Sequence, residues 1–152
     1  MKLQKATMCG LYAVLELAAH ADRQISAAEI ATKYDISLNH LAKVLRTLVR
    51  ARLVESVRGA GGGYRFVGNP KRVTLLDVIG LFEEVGGGAE ESPLVEQNEG
   101  RALHKVLREI DDIAVASLRS ISITTLVKIL EKQKRGTAAE AEAPVLSAVG
   151  GA

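Results

Sequence analysis

Four polar side chains dominate the chemistry this chain can offer. Asn39, Lys43, Arg46 and Arg50 fall at i, i+4, i+7 and i+11, a spacing that sets them on one face of a helix. An amide gives and accepts hydrogen bonds together, and lysine and arginine add cations. Such a face suits base edges flanked by phosphates. Asn39 and His40 stand near the start of the same stretch, where DNA-reading helices make their base contacts. A second basic group lies further on, with Arg58 before a glycine run and Tyr64 and Arg65 after it. Cations there suit a minor groove or phosphates. The glycine run leads into a strand-like segment rather than a helix and lacks Gly-Lys-Ser/Thr, which argues against a nucleotide cradle.

The elements that must position these groups are legible around them. Leu11, Val14, Leu15 and Ala18 predict a first helix, with Thr7 as its N-cap and His20 near its end. Gly10 weakens that helix by roughly 1 kcal/mol relative to alanine, so packing must support it. Ser26-Ala-Ala-Glu29 is a capping box for a second helix carrying Ile30 and Tyr34. The chain breaks at Asp35-Ile36, and Ser37 caps a third helix whose buried stripe reads Leu38, Leu41, Leu45 and Leu48. Two short helices joined by about three residues, the second with a basic outer face, form the helix-turn-helix pattern. Leu53–Val57 and Tyr64–Val67 read as strands joined through glycines, hence a hairpin wing. Thr74-x-x-Asp77 opens a fourth helix with Leu76, Val78, Ile79 and Phe82, ended by Gly86-Gly-Gly88.

A glycine-rich, acidic loop with Pro93 follows. Beyond it Leu103, Leu107, Ile110, Ala114, Ser117 and Ile121 recur every three to four residues. That seam is more apolar than a lone surface helix needs and predicts dimerisation. Leu126, Val127, Ile129 and Leu130 suggest a short last helix. The expected organisation is a winged helix-turn-helix domain over 1–85, a loop over 86–100, a long dimerisation helix and short closing helix over 101–134, and a disordered tail over 135–152. The fold class is mainly α with a small β-hairpin wing.

Charge and composition agree with this division. Residues 1–75 hold 12 Lys and Arg against 5 Asp and Glu, whereas residues 76–152 hold 8 against 13. A basic first half predicts a polyanionic partner, double-stranded DNA. Aromatics are 3 % of the chain and Trp is absent, so Leu, Val, Ile and Ala must build the core, which favours helices. One cysteine, Cys9, rules out a disulfide framework or a paired-cysteine zinc site within the chain and suits a reducing cytoplasm. The chain shows no long apolar run and no signal-peptide pattern, so a cytoplasmic protein without a membrane partner is expected.

Other chemistry is thinly represented. Cys9, among apolar neighbours, reads first as a small core residue and otherwise as a redox or haem sensor. His104 is a surface or sensor position. Glu90, Glu91, Glu96 and Glu99 near it form an acidic loop rather than an expected metal site. No nucleophile, base and orienter come together, so no enzyme is expected. A different class of reading is a protein-interaction module whose acidic half binds a partner and whose DNA affinity is minor.

Over roughly residues 1–130 the chain resembles the Rrf2 family of bacterial transcription regulators. The strings that carry the resemblance are Ile25-Ser-Ala-Ala-Glu-Ile-Ala31, Ile36-Ser-Leu-Asn-His-Leu-Ala-Lys-Val-Leu45 and Val73-Thr-Leu-Leu-Asp-Val-Ile79. The most specific is Leu53-Val-Glu-Ser-Val-Arg-Gly-Ala-Gly-Gly-Gly-Tyr-Arg65, and Ile123-Thr-Thr-Leu-Val127 looks like the family's closing element. Asn39-His40-Leu41-x-Lys43-Val44 is nearest to the nitric-oxide-sensing branch. The resemblance implies a homodimer held by the long helix with its wings on a palindromic operator, and the leading expectation is a sequence-specific DNA-binding repressor. It implies that Ser37, Asn39, His40 and Lys43 meet bases or adjacent phosphates and that Arg58 enters the minor groove. Ala42 stands where some relatives place a cytosine-reading glutamate. Many relatives hold an iron–sulfur cluster through three cysteines in the loop before the long helix. Residues 86–101 contain none, Met8 replaces an acidic ligand of some relatives, and His104 matches a family histidine. A member without that cluster, answering to an effector or protein partner, is therefore expected.

Overall fold

A computed structural model of the chain describes residues 1–87 and 97–142. Among the described residues, six helices and one hairpin run in the order α1 (Lys5–Ala19), α2 (Ala27–Tyr34), α3 (Leu38–Arg50), β1 (Val54–Val57), β2 (Gly63–Phe66), α4 (Leu75–Ile79), α5 (Asn98–Ser120) and α6 (Ile123–Glu142). The mainly helical class with a two-stranded wing is as expected from the sequence.

Local capping sets the helix starts around the centre of the fold. Ser26 accepts from the Glu29 N–H while the Glu29 carboxylate accepts from the Ser26 N–H, which closes the capping box of α2. Ser37 accepts from the His40 N–H and opens α3. Thr74 and Asp77 form a second box at α4. Helix α1 departs from expectation. It starts at Lys5, with Gln4 as N-cap and no capping side chain of its own. Instead, Glu83 Oε2 accepts from the Gln4 N–H at 2.8 Å and from the Thr7 hydroxyl. A carboxylate brought in by tertiary packing does the work expected of Thr7, and it also suits the positive end of the helix.

The core is aliphatic and centres on α1, α2 and α3. Ala13, Val14, Leu17, Ile25, Ile30, Leu41, Val44, Leu45, Leu48 and Val54 are all buried in one cluster. Leu38, expected in the buried stripe, is 53 % exposed. The inner face of α3 is Leu41, Val44, Leu45 and Leu48, and at 100° per residue Leu38 falls about 70° away from its centre.

Helix α4 is shorter than expected. It ends at Ile79, with Gly80 as C-cap, and tight turns carry the chain through Leu81 and Phe82. Those turns bring Phe82 against α1. A Cβ on Gly10 would lie 2.4 Å from Phe82 Cε2, so the glycine that weakens α1 as a helix is what admits the ring.

Helices α5 and α6 join the winged part through backbone pairing. The Leu75 N–H donates to Ile121 O, and the Ile123 N–H donates to Val73 O. Ile121, expected in the dimerisation seam, is therefore the extended C-cap of α5. The long helix begins at Asn98, three residues earlier than the expected loop allowed. The closing helix is long rather than short, and the expected tail is helical as far as Glu142. Thr137-Ala-Ala-Glu-Ala-Glu142 combines strong helix formers with no proline, so the helix propagates despite Gly136. Residues 143–152, and Glu90, Glu91, Pro93 and Glu96 of the expected loop, lie outside the described residues.

Candidate nucleic-acid interface

Helix α3 separates its two faces cleanly. Opposite the buried residues, Asn39, Lys43, Arg46 and Arg50 are all exposed, with Ser37 and Ala42 exposed beside them. The angular centre of those four side chains lies about 180° from that of the core face at 100° per residue. His40 departs from the outer set. Its side chain is half-buried on the flank of the helix, and Nε2 is shielded from solvent with no partner among the described residues.

The wing is an antiparallel hairpin in which Val54 faces Phe66, Glu55 faces Arg65, Ser56 faces Tyr64 and Val57 faces Gly63. Gly59 and Gly61 turn the chain at φ +117° and +74°, a region L side chains rarely enter. At the tip Arg58 is exposed. Arg65 is exposed too but paired across the strands with Glu55, so its charge is partly neutralised. Tyr64 is half-buried against the core. Its backbone pairs in both directions with Ile25 (2.8 and 3.0 Å), fastening the wing to the segment that enters α2. A Cβ on Gly63 would strike the Ile25 carbonyl oxygen at 2.6 Å, so this close pairing also depends on glycine.

Beneath the helix-turn-helix lies a buried polar cluster that the sequence did not disclose. Glu16 on α1 is 5 % exposed. Its Oε2 accepts from the Tyr34 hydroxyl at 2.6 Å and from Lys33 Nζ at 2.7 Å, both on α2. His20 Nδ1 donates to the Glu16 backbone carbonyl at 2.9 Å and lies 3.4 Å from Oε1. Burial works against the Glu16 charge, but the Lys33 and Tyr34 hydrogen bonds and the nearby positive charge outweigh it and hold the carboxyl below its usual range. Burial, reinforced by the Glu16 carboxylate, pushes the Tyr34 phenol well up. The Tyr34 ring also stacks on Tyr12, with centroids 4.9 Å apart. Lys33 and Tyr34 lie 17 and 18 residues from Glu16 in sequence, so spacing alone gives no signal for them.

Apart from Ile121, the expected dimerisation residues fall along one face of α5. Of the 23 residues of α5 only Leu118 is buried. Leu103, Val106, Leu107, Ile110 and Ile113 are 44 to 67 % exposed, and Ala114 is half-buried beside them. Val106 and Ile113 were missing from the expected seam because a two-position heptad frame is narrower than the apolar stripe of a helix at 3.6 residues per turn. On α6, Ile129 is exposed as well.

The sensor candidates sit on different helices, Cys9 on α1 and His104 on α5. Cys9 is buried in the core cluster on α1, and burial pushes its thiol up despite Lys5 nearby. His104, half-buried on α5, has a shielded Nδ1 with no partner among the described residues. Among the described residues no three His, Cys, Asp or Glu side chains gather as a metal site would require. With Cys9 as its only cysteine, the chain lacks the donor set for a cluster held by three thiolates. No described helix is long and apolar enough to cross a membrane.

A helix-turn-helix with a polar outer recognition face, followed at once by a two-stranded wing, defines the winged helix class of DNA-binding transcription regulators. The comparisons narrow the class. Residues 3–129 match the family model described as Rrf2, iron-dependent transcriptional regulator, and the chain belongs to that family, one of regulators and not of enzymes. It is 69 % identical over 137 residues to a relative from Rhodopseudomonas palustris named HTH-type transcriptional regulator BadM, covering 90 % of this chain and 88 % of that one. Among solved structures it is similar to CymR, the global cysteine regulator of B. subtilis, with TM-score 0.74 and 27 % identity over 85 % of this chain and 98 % of that one. It is also similar to T. potens IscR, with TM-score 0.67 and 28 % identity over 88 % and 90 %.

Proposed function

We propose that the protein is a sequence-specific transcription repressor that binds a palindromic operator as a homodimer. The observation that carries this reading is the outer face of α3, where an amide and three cations stand exposed directly opposite the leucine core. Asn39 offers the paired donor and acceptor that match adenine in the major groove. Lys43, Arg46 and Arg50 meet phosphates or guanine edges, and the Ser37 hydroxyl lies where the helix start reaches the backbone. Arg58, exposed at the wing tip and without a partner among the described residues, enters the minor groove, and Arg65 adds charge beside it. Tyr64 and His40 serve mainly to seat the wing and α3. The bare face of α5 supports the dimer, since a helix with one buried residue needs a partner to be stable. The signal is an effector or protein partner rather than a three-cysteine cluster.

Selection of bound sequences from random duplex DNA at near-physiological salt tests this reading. One enriched palindromic motif supports it. Salt-sensitive binding with no motif enriched overturns it. Within the selected motif, Arg58→Ala is expected to weaken binding about tenfold and to lower the salt dependence by about one counterion per half-site. Arg58 is exposed, so circular dichroism should be unchanged. Unaltered affinity and salt slope would remove Arg58 from the interface.

A further inference from the structure

We propose that Leu38 is a specificity-determining residue that reads the C5 methyl group of a thymine. The inference rests on the DNA-binding reading above and adds to it an apolar contact. Leu38 is the first residue of α3, directly after the capping Ser37. It is 53 % exposed, while Leu41, Leu45 and Leu48 on the same helix are fully buried. It takes no part in the core cluster. The first turn of a recognition helix is the part that reaches base edges. Ala42, one turn on, is exposed as well, so Leu38 and Ala42 form a short apolar strip along one side of the Asn39, Lys43 and Arg46 face.

The surroundings say what such a strip meets. Two cations, Lys43 and Arg46, lie beside it, so the occupant is a polyanion with an apolar spot at its surface. In the major groove one base offers that spot, since thymine alone presents a methyl group. Asn39, the next residue, is suited to adenine. Together they favour A·T pairs at adjacent steps of each half-site, with Asn39 satisfied by the adenine and Leu38 packed on a neighbouring thymine methyl.

The test uses the selected operator with thymidine replaced by deoxyuridine, which removes only the methyl, at one symmetric pair of positions at a time. For the wild-type dimer, one pair of replacements is expected to weaken binding about fourfold per half-site, the effect of taking one methyl-sized group out of an apolar contact. With Leu38→Ala the same replacement should cost nothing, and Leu38→Met should restore the methyl dependence. The inference is overturned if no position is methyl-dependent in the wild type, or if Leu38→Ala keeps the full dependence. Failure to enrich any motif would overturn the DNA-binding reading and this inference with it. An enriched motif lacking a Leu38-linked methyl effect would overturn this inference alone. The exposed side chain makes both variants neutral to folding, which thermal unfolding checks.

Discussion

The double variant Leu107→Asp, Ile110→Asp is expected to sediment as a monomer and to lose operator affinity by roughly 100-fold or more. Both side chains are about half exposed in the single chain and lie on the bare face of α5. The substitutions therefore leave the monomer's own core intact. In a dimer built on that face they would bury unpaired carboxylates, which is strongly unfavourable. Two linked half-site readers gain a factor of about 10² to 10⁴ from effective concentration, and a monomer forfeits it. Analytical ultracentrifugation and operator titration measure the two effects. A double variant that still sediments as a dimer would place the interface elsewhere, and Ile129 on α6 would become the next residue to change.

Glu16→Ala is expected to destabilise the fold by about 2–3 kcal/mol. The substitution leaves the Tyr34 hydroxyl without its acceptor and Lys33 without its counter-charge. Removing one partner of a buried hydrogen bond strands the other at a cost of about 1–3 kcal/mol. The Lys33 contribution is smaller because its side chain is 48 % exposed and partly screened. Chemical denaturation measures the loss. The pH dependence carries a sign. The folded-state carboxyl sits below its unfolded value, so its stabilisation is complete above the ordinary glutamate range near pH 4.3 and is lost as pH falls through the lowered folded value. The stability gap between wild type and Glu16→Gln should therefore close on acidification. A gap that stays constant into acid would show that the charge at Glu16 contributes nothing. Because α2 is tied to α1 through this carboxylate and packs on α3, operator affinity should fall along with stability.

The parts of this molecule that were legible in its sequence are those fixed by neighbours a few residues away. Ser26 with Glu29, Ser37 with His40 and Thr74 with Asp77 act within one turn, so the caps and the two helices of the central motif follow from local spacing. The wing follows from glycines at Gly59 and Gly61, whose φ values leave few alternatives. What escaped the sequence is decided by distant partners. Thr7 reads as a cap, but the carboxylate that caps α1 comes from Glu83. Helix α4 stops at Ile79 because Phe82 has to turn back onto Gly10. Ile121 fits the apolar repeat, yet its carbonyl is taken by Leu75 and ends the helix there. Leu38 matches its sister leucines in type and spacing, and only packing reveals that the core ends one position short of it. The outer face of α3 lay between these cases. Its four polar residues were evident from helical phase, whereas the sideways placement of His40 was not.

The hydrogen bonds between Ile25 and Tyr64 have a mechanical consequence. They clamp the hairpin to the strand-like turn that feeds α2, so the base of each wing and its reading helix form one stiff head. In the proposed dimer, a signal that releases DNA is then expected to act on the distance and angle between the two heads, as a pair of callipers is set by its hinge rather than its tips. Operators altered only in the number of base pairs between half-sites would then be the sharpest gauge of whether the switch is open or shut.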